Sequence, residues 1–288
     1  MTGVSIIGAG RLGASLGHAL VRRGYDLRAL SCRTLRSARE SARIAGAGRA
    51  VTNIVKAAGD SGVVFLCVTD RALPEVAATL AASPLDWNKR TVFHTSGLVP
   101  ARVLEPLARA GAHTASFHPA QTFARKEADP SLFRGIFYGL EGDPAAVKTA
   151  LGIVRRLGGA ALLLNENEKA LYHAACVICS AGGTALFDAA TRLLAGTGLD
   201  AGDAARVLLP LAERTLRNVK ELGAAAALTG PVSRGDVQAV RLHVKALPAK
   251  GAARALYAAL GLASLETAGK RKLPPKTVRT LKRILEEK

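Results

Sequence analysis

A short polar stripe opens one of the long apolar helical patterns of this sequence. Lys169 and His173 are four residues apart, so a helix places both side chains on one face, and Ser180 falls on that face again three turns further on. Tyr172 projects about 100° away from Lys169 and His173. An ammonium group beside an imidazole can give and take protons at a reacting oxygen. The stripe therefore predicts an acid–base site, and a charged first turn in solvent is the alternative.

Two predicted strands end in polar residues of a second kind. They are Arg90–Phe93, followed by His94, Thr95, Ser96 and Gly97, and Ala112–Phe117, followed by His118. Ligands bind outside the carboxyl ends of parallel strands, so these residues are predicted to face one crevice. The hydroxyl groups can hold a small carboxylate, and each imidazole can donate to a carbonyl or carry a proton. A structural hydrogen bond within the loop is the alternative for each histidine.

A third polar cluster follows in the last third of the chain. Thr229-Gly230-Pro231 predicts a turn, and Ser233 or Asp236 could cap the helix after it. Arg234 could clamp a substrate carboxylate in bidentate fashion. Pairing of Arg234 with Asp236 is the alternative.

The elements that would position these groups start at the N-terminus. The apolar run Val4–Ile7 leads directly into Gly8-Ala-Gly10-Arg11-Leu12-Gly13 and a helical pattern. Strand, glycine turn and helix in this order are typical of a dinucleotide-binding site. Gly8 permits the tight turn, Gly10 lets a pyrophosphate approach the backbone, and Gly13 lets the helix pack closely. Arg11 and Leu12 then present their N–H groups to the anion.

The identity of the dinucleotide is predicted at the end of the second strand, Asp26–Leu30. An acidic residue there would hold a ribose 2′-hydroxyl, but the strand is followed by Ser31, Arg33 and Thr34. Two hydroxyls and a fixed positive charge suit a 2′-phosphate, so NADP (NADPH) is favoured over NAD. The alternative is that Arg33 is a solvated residue at the start of the next helix.

Strand and helix patterns, among them a helix predicted over Pro144–Leu157, alternate as far as Leu164. The uninterrupted apolar run Val63–Val68 is typical of a strand buried on both faces, and Val68 and Thr69 at its end are predicted to contact the cofactor. Asp70 is predicted to be the N-cap of the helix Arg71–Ala82, or else a crevice residue.

Beyond Glu168 the sequence shows only helical patterns. They are Glu168–Leu194, Asp203–Leu222, Val232–Leu247, Ala252–Ala268 and Pro275–Glu287. We therefore predict an α/β chain with a doubly wound Rossmann-type domain over residues 1–165 and an all-α domain over residues 166–288.

Composition limits the classes of partner. The 288 residues carry a net charge of +18, but the charge is scattered and only 4% of the residues are aromatic, which disfavours a nucleic-acid-binding surface. A basic protein suits an anionic substrate and cofactor. Cys176 and Cys179 are predicted to be core residues, not metal ligands, and no metal site is expected. No apolar run approaches eighteen residues, so we expect no membrane contact and a soluble, cytoplasmic protein.

Taken together, the motifs resemble those of proteins that join a Rossmann-like domain to a C-terminal domain of unknown function 2520. The matching features are the glycine turn, His94-Thr95-Ser96-Gly97, His118-Pro119 with Phe123, Lys169 with His173, and Leu228 to Asp236 with His243. They span nearly the whole chain. This family is similar to the group of β-hydroxyacid dehydrogenases, ketopantoate reductase and pyrroline-5-carboxylate reductase.

The resemblance implies an NADP-dependent oxidoreductase that acts on a small carboxylate-bearing carbonyl or hydroxy compound, as ketopantoate reductase does. Lys169 matches the lysine of the hydroxyacid members, and His173 stands where they have asparagine. Ser96 and Arg234 would then hold the substrate carboxylate. The resemblance also implies a homodimer formed through the helical domains. A non-catalytic NADP-binding sensor is the alternative function.

Overall fold

The computed structural model describes residues 3–59, 61–248, 252–268 and 273–287. The chain forms two compact units, Met1–Ile178 and Cys179–Lys288. The first unit continues past the predicted domain boundary at residue 165 and includes the start of the first long helix. The boundary of the dinucleotide-binding domain itself stays a prediction.

The first unit contains an eight-stranded sheet of order β3-β2-β1-β4-β5-β6-β7-β8. The strands are β1 (Gly3–Ile7), β2 (Asp26–Ser31), β3 (Arg49–Val51), β4 (Val63–Leu66), β5 (Thr91–His94), β6 (His113–Pro119), β7 (Phe137–Gly142) and β8 (Ala160–Leu163). Neighbouring strands are parallel except β6 and β7, which are antiparallel. The predicted α/β class with a doubly wound sheet is confirmed.

Apolar side chains on both faces of the central strands explain why this sheet is mostly parallel. On one face Phe65, Phe93 and Phe117 pack together, with ring centroids 5.1 to 5.6 Å apart. On the other face Val64 and Val92 join a separate cluster around the buried Trp87. Helices cover both apolar faces of the sheet. The polar residues at the strand ends are not needed for this packing and are available to bind ligands.

Seven α-helices lie in the described part of the first unit. They are α1 (Arg11–Arg22), α2 (Leu35–Ala45), α3 (Ile54–Ala58), α4 (Leu73–Ala81), α5 (Glu105–Arg109), α6 (Pro144–Leu157) and α7 (Lys169–Val177). The predicted N-cap at Asp70 is wrong. Asp70 begins a 3₁₀ turn, and α4 starts at Leu73 without a side-chain cap, because its N-cap residue is Ala72, which has no side-chain acceptor.

The second unit is helical throughout its described part. Its helices are α8 (Gly183–Ala195), α9 (Ala201–Leu222), α10 (Ala224–Ala227), α11 (Pro231–Arg234), α12 (Val237–Ala246), α13 (Ala252–Ala268) and α14 (Pro275–Glu286). Val240, Leu265 and Leu281 are central to its core. The single helix predicted over Val232–Leu247 is wrong, because Gly235 adopts φ +74° and ends α11, and Asp236 then caps α12 by accepting from the Ala239 N–H at 3.0 Å.

The predicted helix Glu168–Leu194 is interrupted as well. A π-helical segment, Ile178–Gly182, separates α7 from α8 and changes the angular step between residues. The sequence spacing of Lys169 and Ser180 therefore no longer establishes that their side chains lie on one face of a helix. The prediction that Cys179 is a core residue is wrong, since its side chain is exposed, whereas Cys176 is half-buried.

In the described part of the chain one helical stretch, Glu166–Ala195, is long enough to cross a bilayer, and an 18-residue window within it has a mean hydropathy of 1.5. The sequence prediction considered uninterrupted apolar runs, and polar residues divide this stretch into shorter ones. A single such helix is weak grounds for a membrane span. Its first turn carries Lys169, whose side chain is buried against strands of the sheet.

Candidate active site

Lys169 lies at the start of α7, and a capping box fixes that start. The Asn165 side chain accepts from the Glu168 N–H at 3.2 Å, and the Glu168 carboxylate accepts from the Asn165 N–H at 2.9 Å. The Lys169 side chain is only 1% exposed. Its Nζ donates to Ser116 Oγ at 2.5 Å and to the Ser96 carbonyl at 3.3 Å. Since an ammonium has three donors, one N–H is left for a ligand.

Burial sets the charge of this lysine. Removal from water lowers the pKa of Lys169 to about 8, although the carboxylates of Glu141 and Asp70 favour the protonated form. The ammonium can therefore lose and regain its proton near neutral pH. This is the range in which a general acid works best.

His118 and Tyr172 form a hydrogen-bonded pair in the same unit. Tyr172 Oη lies 2.8 Å from His118 Nδ1, and burial raises the pKa of the tyrosine. Burial, with smaller contributions from His173 and Lys169, lowers the pKa of His118 to about 4. A neutral imidazole at pH 7 can accept the phenolic proton at Nδ1, which leaves Nε2 as a donor.

Two glycines allow these side chains to approach the sheet. A Cβ on Gly139 would lie 3.0 Å from the ring of Tyr172. A Cβ on Gly97 would lie 2.7 Å from His173 Cδ2 and 2.9 Å from His118 Nε2. The rings of His118 and His173 are perpendicular, with centroids 6.1 Å apart. Any larger residue at Gly97 would separate these two imidazoles from the end of β5.

His94 is completely buried at the end of β5. Its Nδ1 accepts from the Ser96 N–H at 3.2 Å, while Nε2 has no hydrogen-bond partner among the described residues. Burial and the nearby charge of Lys169 lower its pKa to about 3, so the ring stays neutral. In this conformation His94 holds the following turn in place. Its predicted contact with substrate stays a prediction.

The turn that His94 holds presents two hydroxyl groups. Ser96 Oγ accepts from the N–H groups of Leu98 and Val99 at 3.2 and 2.9 Å, which uses its acceptor capacity and leaves its O–H as a donor. Thr95 Oγ1 donates to the Leu66 carbonyl at 3.5 Å. Ser96 is therefore better placed than Thr95 to donate to a carboxylate.

Four residues of this site were not predicted from the sequence. They are Ser116, Tyr172, Gly139 and Glu141. Ser116 precedes His118 by two residues, so the alternation of a strand places both on one face and could have indicated it. The other signal is the antiparallel pairing of β6 with β7, which puts Gly139 opposite His118 and Glu141 opposite Ser116. No local sequence pattern predicts that β7 runs antiparallel to β6.

The glycine turn lies elsewhere in the same unit, between β1 and α1. Packing explains two of its glycines. Gly8 has φ +81°, and a Cβ there would lie 2.6 Å from Val68 Cγ1, while a Cβ on Gly13 would lie 3.0 Å from the Gly8 carbonyl oxygen. Packing does not explain Gly10, because its φ is −73° and the nearest atom to a Cβ would be 3.9 Å away. A glycine in open space at a turn suits the close approach of a ligand.

The start of α1 completes an anion-binding environment. The first intrahelical bond of α1 runs from the Ala14 N–H to the Gly10 carbonyl, so the N–H groups of Arg11, Leu12 and Gly13 precede it. The first turn of α1 contains no acidic residue. Positive potential at a helix start favours a phosphate. The residues present therefore fit the pyrophosphate of a dinucleotide.

The second strand ends where the sequence predicts the ribose site. The Ser31 carbonyl accepts from the N–H groups of Gly8 and Ala9, at 3.0 and 2.9 Å, and so anchors the turn. Thr34 Oγ1 caps α2 by accepting from the Ser37 N–H at 3.3 Å, and Arg33 is exposed. Val68 and Thr69 follow β4, half-buried and exposed respectively.

Arg234 lies in the second unit, at the exposed end of α11. Its predicted pairing with Asp236 does not occur among the described residues, because the Asp236 carboxylate caps α12 instead. The contact of Arg234 with a substrate carboxylate stays a prediction.

Comparison with known proteins identifies two domains in the chain. A family profile described as a Rossmann-like domain matches residues 2–119, and one described as a domain of unknown function (DUF2520) matches residues 136–264. The chain is a Rossmann-like DUF2520 protein. None of the curated proteins compared with it matches.

Solved structures with the same fold include enzymes of the predicted group. A Bacteroides fragilis protein named as an NADP oxidoreductase is 26% identical, with a TM-score of 0.77, covering 92% of this chain and 98% of that one. An Aspergillus terreus reductive aminase in complex with NADPH is 20% identical, with a TM-score of 0.61 and coverages of 99% and 93%. A pyrroline-5-carboxylate reductase from Coxiella burnetii is 18% identical, with a TM-score of 0.60 and coverages of 100% and 99%.

The last two likenesses show the fold alone. The Rossmann-like domain and the likeness to the Bacteroides fragilis protein support a generic NAD(P)-dependent oxidoreductase that uses a dinucleotide.

Proposed function

We propose that this DUF2520 protein is an NADP(H)-dependent oxidoreductase that transfers a hydride to or from a small carboxylate-bearing carbonyl or hydroxy compound, as ketopantoate reductase does. The observation that carries the proposal is the buried Lys169, whose ammonium is held by Ser116 in the unit that also contains the glycine turn. A buried cation with a lowered pKa is costly, and such groups cluster at functional sites.

The residues proposed to hold the cofactor fall into two groups. Gly8, Gly10 and Gly13, with the N–H groups at the start of α1, would bind the pyrophosphate. Arg33 and the hydroxyl-bearing residues beside it would bind the 2′-phosphate of NADP. NADPH, when bound, supplies the hydride that reduces a carbonyl.

Lys169 would supply the proton. Its free N–H donates to the substrate oxygen, and that interaction strengthens as negative charge develops there during reduction. Ser116 and the Ser96 carbonyl keep the ammonium in position. His173, four residues along the same helical face, would orient Lys169 or share the proton.

The substrate carboxylate would be held by hydroxyl and guanidinium donors. The remaining O–H of Ser96 is suited to one carboxylate oxygen, and Arg234 is proposed for bidentate contact. Nε2 of His118, a donor while Nδ1 accepts from Tyr172, is a further candidate ligand.

The function is tested by NADPH oxidation with purified protein and a panel of small 2-keto acids that includes ketopantoate, with NADH in parallel. We expect turnover with at least one acid and faster turnover with NADPH. Binding of NADPH without oxidation by any acid of the panel would contradict hydride transfer to a 2-keto acid and favour a sensor.

We further propose that the protein is a homodimer through its helical unit. Val207 and Leu211 lie on one face of α9, and Leu209 and Leu216 lie on another. All four are half or more exposed in the single chain, and Leu216 is 69% exposed. The remaining face of α9 is charged, whereas this broad apolar side is exposed in the single chain. Exposed apolar surface of this extent is normally buried, so a second copy is expected to cover it.

Sedimentation of the wild-type protein is expected to show a dimer, and the double variant Leu211→Glu/Leu216→Glu a monomer. Leu35→Glu introduces one such charge at an exposed apolar position of α2, in the other unit, and should leave the dimer intact. Monomeric wild-type protein at micromolar concentration would contradict the proposal.

A further inference from the structure

We propose that Lys126, which lies far along the chain from the ribose site, is a ligand of the 2′-phosphate and determines the preference for NADPH over NADH. The proposal rests on the proposed function. It concerns a residue that no motif of the sequence indicates.

The segment that carries Lys126 leaves the end of β6 and crosses to the two helices of the cofactor site. The Glu127 N–H donates to Ser15 Oγ of α1 at 2.9 Å, and Ser15 Oγ in turn donates to the Arg11 carbonyl at 3.0 Å. Lys126 Nζ donates to Ser37 Oγ of α2 at 3.1 Å. Hydrogen bonds therefore hold this segment against α1 and α2, the two helices that begin at the predicted phosphate-binding turns.

Lys126 contacts the first turn of α2, where the 2′-phosphate is expected. Ser37 is the third residue of this helix, and its N–H is bonded to Thr34 Oγ1 at 3.3 Å. Hydrogen bonds therefore connect the ammonium of Lys126 to Thr34 through Ser37. A helix start favours an anion, and a lysine is a common phosphate ligand.

Burial distinguishes Lys126 from the other cations near this turn. Its side chain is 17% exposed, whereas Arg33 and Arg36 are exposed. A cation held in one place and partly shielded from water interacts more strongly with an anion and loses less freedom on binding than a solvated one. Of these three cations, Lys126 is the one whose side chain is already held in place before a ligand binds.

Glu40 is the only acidic residue of α2 and lies 2.7 Å from Lys126 Nζ. The hydrogen bond from Lys126 is the main cause that keeps the pKa of this carboxyl below its usual range. Without the lysine, a carboxylate would stand within two turns of Thr34 and repel a phosphate. With it, Glu40 holds the ammonium at the helix start, and Nζ keeps a third donor for the ligand.

The test is fluorescence titration of the full chain with NADPH and with NADH. We expect Lys126→Gln to raise the Kd for NADPH about tenfold or more and to leave the Kd for NADH within about twofold, because one charge-assisted hydrogen bond is lost. Arg125→Gln is the matched control, since Arg125 is adjacent, exposed and paired with Glu127. It should leave both constants unchanged.

Glu40→Gln keeps Lys126 and removes the competing carboxylate, so it should bind NADPH at least as tightly as the wild type. Thermal unfolding of each variant, without cofactor, establishes that it is folded. An unchanged ratio of the two constants in folded Lys126→Gln would overturn the inference, as would an equal change in Arg125→Gln. If the wild-type protein binds neither dinucleotide, the proposed function fails instead.

Discussion

Replacement of Lys169 by methionine is expected to lower turnover about a hundredfold or more while the affinity for NADPH stays nearly unchanged. The magnitude is that of losing a general acid. Methionine keeps most of the buried volume and removes the charge, so the loss would not arise from a cavity. Since burial already disfavours the ammonium, the variant should unfold at the same or a higher temperature than the wild type at pH 7. Stopped-flow or steady-state assays beside NADPH titration measure the two effects.

The pH dependence of the wild type checks the same assignment. Reduction needs the protonated lysine, so kcat/KM should be level at low pH and fall as pH rises through about 8. The pKa values of His94 and His118, about 3 and about 4, leave both rings neutral over this range, and neither should add a limb between pH 6 and 9.

Lys148→Met, at an exposed position of α6, is the matched control and should keep full turnover. Wild-type rates in Lys169→Met would remove this residue from the mechanism.

The sequence predicts best where local chemistry decides the structure. The helix Pro144–Leu157 is confirmed to the residue, because Pro144 fits its first turn, Asp143 caps it, and Gly158 adopts the left-handed conformation that ends it. The strand, turn and helix at the N-terminus are confirmed for the same reason. Gly8 and Gly13 serve contacts that only glycine can make.

Contacts between distant parts of the chain could not be predicted in this way. Lys169 meets Ser116 across 53 residues, and Lys126 meets Ser37 across 89. Ser116 lies within β6 and Lys126 in the segment that follows it, and the antiparallel β7 changes the path of the chain beyond that strand. Tyr172 illustrates the same limit, since it does project away from Lys169 and His173, yet it reaches His118 because α7 lies over more than one strand.

Gly10→Ala is expected to weaken NADPH binding about a hundredfold or more, because a methyl group would keep the pyrophosphate from the N–H groups at the start of α1 and forfeit charge-assisted hydrogen bonds. The free energy of unfolding should change by less than about 0.5 kcal/mol, as at other open positions. The backbone of Gly10 has φ −73°, and a Cβ there meets no protein atom closer than 3.9 Å. Titration with NADPH and chemical denaturation measure the two quantities.

Gly8→Ala, unlike Gly10→Ala, should lower the stability of the protein. It forces a Cβ to 2.6 Å from Val68 Cγ1 at φ +81°, so unfolding should become easier by about 1–3 kcal/mol or more. Gly24→Ala is the matched control, because Gly24 has φ +80° but no atom within 4 Å of a Cβ, and it should cost only the backbone strain.

Tight NADPH binding by folded Gly10→Ala would mean that the open glycine is not where the pyrophosphate binds, and the proposed cofactor site would then lose its strongest support.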